Sequence, residues 1–335
     1  MVLVVGGSGL VGSHLLYELL KEHSKVRVLY RSEENKQEIK RVFSFYSQYP
    51  EDLFSKMEFV SGDILDYLSL FDALIGVTMV YHCAGLVSFA PQDAEKLKRV
   101  NIVGTANVVN ACLENKVRKL CYVSSVAAIG KNKEKQFVDE ETVWKASPEN
   151  TVYSVTKNTA EREVWRGIQE GLSAVMVNPT IILGPGNWEK GSSALFRSAR
   201  KGMKFYTPGI TGFVDVRDLV KCMVKLMDSH ITNERFIVNG ENKQFRDFFT
   251  FANREFGNDA PFIAAPIWLS NWVWRLEKIR SFLTGSNPLI TKETAISAHQ
   301  KSYYSREKLD RSIDHSFVSF ETSIKEISAF YKPSM

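Results

Sequence analysis

The chain opens on a short apolar run, Val2 to Val5, then a glycine cluster, then apolar positions at helical spacing from Leu10 to Lys21. This succession recurs. Apolar runs at Lys25–Tyr30, Met57–Val60, Met79–His82, Lys119–Ser124 and Ala174–Val177 predict strands, because a parallel strand covered on both faces has no polar side to alternate with. The 3.6-residue period predicts helices over Ile39–Tyr49, Leu65–Leu74, Ala94–Asn115 and Thr156–Gly171. Strands alternating with helices predict an α/β fold with a doubly wound parallel sheet and right-handed crossovers. From about Leu183 the alternation weakens, Gly184-Pro185-Gly186 breaks it, and Phe236–Val238 returns one more strand. The expected division is a first unit over 1–182 with a returning segment about 214–240. A smaller, mainly helical lobe takes 183–213 and 243–335 and lies over the carboxyl edge of the sheet, where ligands of such sheets bind.

Between the first strand and first helix stands Gly6-Gly7-Ser8-Gly9-Leu10-Val11-Gly12. Gly6 permits the tight turn, Gly9 lets the backbone approach a pyrophosphate, and Gly12 allows close helix packing. The helix N-terminus adds unpaired N–H groups and a partial positive charge. This context, strand before and helix after, marks 1–182 as a dinucleotide-binding unit, with Gly6, Ser8, Gly9, Leu10, Val11 and Gly12 as phosphate contacts. The second strand ends Leu29-Tyr30-Arg31-Ser32, with no carboxylate to bond a ribose 2′-hydroxyl. Arg31, helped by Ser32 and Lys36, would instead pair a 2′-phosphate, which favours NADP; Glu33 and Glu34 nearby keep NAD open. Asp63 is placed to accept from the adenine amino group, with Ile64 packing on the ring; capping of the following helix is the other reading of Asp63.

Tyr153-Ser154-Val155-Thr156-Lys157 puts a tyrosine and a lysine four residues apart on one helix face. A free tyrosine, with pKa ~10, is a poor acid or base at neutral pH. A lysine ammonium beside it stabilises the phenolate and lets it pass a proton to or from a carbonyl oxygen. Tyr122-Val123-Ser124-Ser125 ends a strand, so its serines reach the same edge, where one can hold the substrate oxygen.

With these residues in order, the chain resembles an extended short-chain dehydrogenase/reductase, the Rossmann-fold group that includes NAD-dependent epimerases and dehydratases. Tyr81-His82-Cys83-Ala84-Gly85, Val100 to Thr105 and Asn178-Pro179-Thr180 continue the resemblance. It implies Ser125 as the catalytic serine, counted five back from Gly130, beside Tyr153 and Lys157. It further implies Ala84 and Gly85 beside the cofactor ribose, Lys157 reaching that ribose, and Pro179 near the nicotinamide amide. Ser88 and Asn178 are carried over as substrate contacts. Arg27–Arg31, Val87-Ser88-Phe89 and Asn287-Pro288-Leu289-Ile290-Thr291 are similar to dihydroflavonol-reductase-like and 3β-hydroxysteroid-dehydrogenase-like members. Val126-Ala127 after Ser125 departs from the Asp-Glu pair of dehydratases.

Composition adds exclusions. A net charge of +5 without a block of like charges does not ask for a nucleic-acid partner. Cys83, Cys112, Cys121 and Cys222 form no CxxC pair and read as buried thiols of a reducing compartment. His14, His23, His230, His299 and His315 are scattered, so no metal site is expected, and His82 reads as structural. No signal peptide or spanning segment is seen, Ala264–Val273 being too short, so a cytoplasmic protein is expected. Asp139-Glu140-Glu141 reads as a solvated loop, Asp218 as a helix cap and Arg217 as a structural ion pair. Trp188, Trp268, Trp272 and Trp274 read as packing residues. The leading expectation is an NADP-dependent oxidoreductase acting on a small carbonyl compound or secondary alcohol, with a homodimer left open. An NAD-dependent nucleotide-sugar epimerase and a non-catalytic dinucleotide-sensing module are the alternatives.

Overall fold

The structure, a computed structural model, describes residues 1–130, 136–189, 191–284 and 291–332. Its first part runs β1 (Val2–Val5), α1 (Leu10–Glu22), β2 (Val26–Tyr30), α2 (Glu33–Phe43), α3 (Pro50–Phe54), β3 (Met57–Ser61), α4 (Tyr67–Ala73) and β4 (Met79–His82). Next come α5 (Ala94–Leu97), α6 (Gly104–Glu114), β5 (Lys119–Val123), α7 (Val152–Gln169), β6 (Ala174–Pro179) and β7 (Ile181–Leu183). The remainder is α8 (Ala194–Arg200), β8 (Phe205–Tyr206), β9 (Ile210–Asp215), α9 (Val216–Asp228), β10 (Glu234–Val238), β11 (Glu241–Gln244) and α10 (Phe245–Glu255). It closes with β12 (Ile263–Ala264), α11 (Ile267–Thr284), α12 (Lys292–Ser297), α13 (Glu307–Ser312) and α14 (Phe320–Tyr331).

One all-parallel sheet of order β3-β2-β1-β4-β5-β6-β10 forms the centre. The apolar run of β1 is buried at every position because helices cover both faces. One face packs Leu15, Leu16 and Leu19 of α1 against Leu219, Met223 and Leu226 of α9. The other packs Val108 and Cys112 of α6 against Ala160 and Val164 of α7. A third core, of Phe196, Phe213, Phe248, Phe320 and Tyr331, is aromatic. It lies by the small sheet β11-β9-β7. The Gly184–Gly186 loop is tied back to α1, since His14 Nε2 bonds Pro185 O at 2.8 Å and the Tyr331 hydroxyl bridges Gly186 N–H and C=O. The returning strand is β10, parallel to β6 as expected.

Several boundaries differ from the sequence reading. The helix expected over Ile39–Tyr49 is α2, which starts at Glu33; two acids in its first turn suit a helix N-terminus, while Phe45 and Tyr46 pack beyond its end. The helix expected over Ala94–Asn115 is interrupted by a π-helical segment at Lys98–Val103. The helix α7 begins at Val152, because the Thr151 side chain accepts from Ser154 N–H at 2.9 Å, and so Tyr153 stands in its first turn. Trp188 stacks on Tyr331 as a packing residue, but Trp268 and Trp272 are 62% and 63% exposed on α11 and join none of the cores formed by the described residues. Glu140 is buried: its carboxylate accepts from Ile237 N–H at 2.7 Å, and no solvated loop holds it. Asp215, not Asp218, caps α9 and also pairs with Arg217, which bridges to Glu326. Asp218 instead holds Val318 N–H and His315. No helix of the described residues is long and apolar enough to cross a membrane, and among them no three His, Cys, Asp or Glu side chains gather as a metal site.

Candidate functional site

The first βα turn is closed by Gly6, at φ +85°. A Cβ there would lie 2.5 Å from the Ala84 backbone nitrogen, and one at Gly12 would lie 2.2 Å from Gly6 O. Both glycines are therefore demanded by backbone approach. Gly9 caps α1 without a side-chain acceptor, which leaves the first-turn N–H groups for an anion. Leu10 and Val11 open the helix, Ser8 flanks it, and Leu10 meets the Gly184–Gly186 loop.

At the exits of β2 and β3 the side chains are looser. Arg31 lies 3.7 Å from Asp63 Oδ2, with the two side chains 68% and 38% exposed. Asp63 Oδ1 accepts from Leu65 N–H, while Asp66 is the cap of α4. Lys36 does not join Arg31: its ammonium bonds Glu33 at 2.7 Å and sits over the Tyr30 and Phe59 rings. Ile64 is buried against Gly104, leaving little surface for a base to stack on.

The exits of β4, β5 and β6 are tightly bonded. The two serines after β5 part ways. Ser124 is buried and donates to Glu161 Oε2 at 2.7 Å, whereas Ser125 caps the turn that follows by accepting from Ala127 N–H. Burial pushes the Tyr153 phenol up, and Ser125 works against that. Lys157 is 4% exposed; its ammonium donates to the Tyr122 hydroxyl and to Val123 O, both at 2.8 Å. Burial drives its pKa down to about 7, with Glu161 and Cys83 opposing. A neutral-pH lysine is thus balanced between its two forms, one turn from the phenol.

Ala84 and Gly85 leave β4 beside this group, Gly85 close to Lys157. Asn101, in the π-helical segment, fixes their loop by bonding both Leu86 N–H and Leu86 O. Pro179 ends β6 at the same edge. Asn178 does not face the substrate side: it is fully buried, and its amide nitrogen bonds Ser125 O and Glu161. Ser88 is committed to its own loop through Asp93.

The sequence reading missed three residues here. Phe89 sets its ring edge-on to Tyr153 at 5.7 Å. Tyr122 meets Lys157. Glu161, paired with Arg235 at 2.9 Å, accepts from Ser124. Only Glu161 had a signal, being one turn beyond Lys157 on the same helix face.

Known proteins agree with this architecture. A putative dihydroflavonol 4-reductase from Synechocystis is 28% identical over 91% of this chain and 87% of its own length. Sterol demethylase protein B from Methylococcus capsulatus is 31% identical over 79% of this chain and 77% of that protein. Thermus thermophilus UDP-glucose 4-epimerase, solved in complex with NAD, superposes over 100% of this chain and 99% of its own with a TM-score of 0.74, at 20% identity. The family model described as NAD dependent epimerase/dehydratase family matches residues 2–239. With the glycine turn, the parallel sheet and that match in agreement, this chain belongs to the NAD-dependent epimerase/dehydratase family.

Proposed function

We propose that this chain is an NADP-preferring oxidoreductase that reduces a carbonyl, or oxidises a secondary alcohol, with Tyr153 as the proton donor and acceptor. The observation that carries this reading is the arrangement at the carboxyl edge, where Ser124 is withdrawn to Glu161 and Lys157 is buried one turn along α7 from Tyr153, which leaves Ser125 for the substrate oxygen. A dinucleotide fits the residues present, since the cradle around Gly6 and Gly12 is one that any Cβ would fill. Gly6 to Gly12 would hold its phosphates, Arg31 its 2′-phosphate, and Lys157 its nicotinamide ribose. When bound, it supplies a hydride donor or acceptor. The protein residues then handle position and proton. Ser125 holds the substrate oxygen, Tyr153 gives or takes the proton there, and Lys157 in its ammonium form favours the phenolate. Phe89 beside Tyr153 supports a substrate site roofed by the 84–93 loop. The reductases among the relatives support the carbonyl reading over the epimerase one.

The test is a panel of aromatic and alicyclic ketones, aldehydes and nucleotide sugars, with NADPH and NADH oxidation followed by absorbance. Carbonyl-dependent consumption of NADPH is expected. Interconversion of a nucleotide sugar with no net cofactor consumption would replace this reading with the epimerase one.

A further inference from the structure

Behind the lysine, the interior holds a line of polar side chains that neither the phosphate turn nor the Ser125–Tyr153 pair requires. Lys157 Nζ lies 2.8 Å from the Tyr122 hydroxyl. Thr105 bears on the Tyr122 phenol, and Thr105 Oγ1 lies 3.1 Å from His82 Nε2. Tyr122 and His82 are 0% exposed and Thr105 is 1% exposed, so no water takes part from outside. The four residues come from α7, β5, α6 and β4, and so span the core beneath the site.

An ammonium can only donate, so the Tyr122 hydroxyl accepts from Lys157. His82 stays neutral, because burial and the nearby Lys157 charge bring its pKa down to about 3. What this interior offers Lys157 is an acceptor held in place.

We propose that Tyr122 is the positioning residue of Lys157: its phenol oxygen holds the ammonium at the carboxyl edge, one turn along α7 from Tyr153. The inference rests on the reading of Lys157 as the lysine of the site. A buried ammonium needs acceptors to remain charged. Lys157 has two, the Tyr122 hydroxyl and Val123 O. The other titratable groups facing it are Glu161 one turn on, already shared with Arg235, Tyr153 one turn back, and Cys83 after β4. None of these supplies a bond to the ammonium, so Tyr122 is the side chain whose loss is felt directly.

The experiment titrates Lys157 in the whole enzyme through its ¹³Cε resonance, assigned with Lys157→Met. Tyr122→Phe should lower the Lys157 midpoint by about one pH unit, the scale of one hydrogen bond to a charge. The alkaline limb of kcat/KM should move down with it, while the plateau at lower pH changes little. Merely structural damage would lower the plateau and leave the limb in place. Thr105→Val keeps the phenol and removes the hydroxyl that bears on it, so it should give a smaller shift in the same direction; it carries the test if Tyr122→Phe does not fold. An unchanged midpoint in the folded variants overturns the proposal. A lowered midpoint with an unmoved kinetic limb supports Tyr122 as the anchor and removes Lys157 from the proposed chemistry.

Discussion

The two ends of the cleft along the sheet edge are built differently. At the exits of β4 to β6, Ser124, Lys157, Glu161 and Asn178 are all buried, with partners at 2.7 to 3.0 Å. At the exits of β2 and β3, Arg31 and Asp63 face solvent and meet at 3.7 Å. The buried end is organised before any ligand arrives, and its polar groups lock one another through several elements. The exposed end has little energy stored in its contacts, since a solvent-exposed ion pair contributes at most about 1 kcal/mol. Chemistry demands fixed geometry, whereas a choice between two nucleotides needs only a charge near the right place. A change at the buried end should therefore cost rate or stability, and one at the exposed end selectivity alone.

The strongest test of that contrast is Tyr153→Phe. It should reduce kcat roughly 10²- to 10⁴-fold with NADPH affinity nearly unchanged, because only the proton donor is lost. Turnover above about a tenth of normal, against that scale, would show that the proton comes from elsewhere. Lys157→Ala should lower both rate and cofactor affinity, and the two losses should not add, because the residues act as one unit.

Glu161→Leu comes next. It leaves Arg235, 20% exposed, without its carboxylate and frees Ser124 and Asn178 together. A loss of about 3–5 kcal/mol in urea unfolding is expected. A variant as stable as the parent would mean that the buried pair can be replaced by packing alone.

The pH dependence of stability offers a third test, of buried histidines in the interior. His82 and His14 are fully buried, with pKa values lowered to about 3 and about 4 from 6.5. Below pH 6.5 the unfolded chain binds protons that the folded one refuses, so stability should fall as pH drops from 6.5 toward 4 and be fully present above it. Urea midpoints at pH 7 and pH 5 measure this, and His14→Gln should flatten the slope.

The smallest effect is expected at Arg31. Arg31→Glu should erase an NADPH preference of about tenfold, about 1.4 kcal/mol, while stability stays within about 0.5 kcal/mol. Calorimetric titration with both nucleotides decides it, and an unaltered ratio would remove Arg31 from the 2′-phosphate site.

Much was legible before the fold was known. The buried strand runs, the glycine turn at Gly6 to Gly12 and the four-residue step from Tyr153 to Lys157 depend on local periodicity and backbone sterics, which a linear sequence records directly. The start of α2 was misplaced because its amphipathic tail drew more weight than the acids of its first turn. Asn287 to Ile290 of the branch-specific string lie outside the described residues. Tertiary structure decided where polar side chains spend their bonds. Adjacent serines look alike in sequence, but past the end of β5 Ser124 turns inward to Glu161 while Ser125 caps the next turn through Ala127 N–H. Lys36 and Asn178 have suitable chemistry for the site, yet Glu33 and Glu161 claim them first. Glu140 stands in a run of acids, and its burial follows from Arg235 and Ile237, nearly a hundred residues away. Periodicity is a property of neighbours along the chain, whereas the partner of a buried polar group is chosen by whichever distant element the fold packs against it.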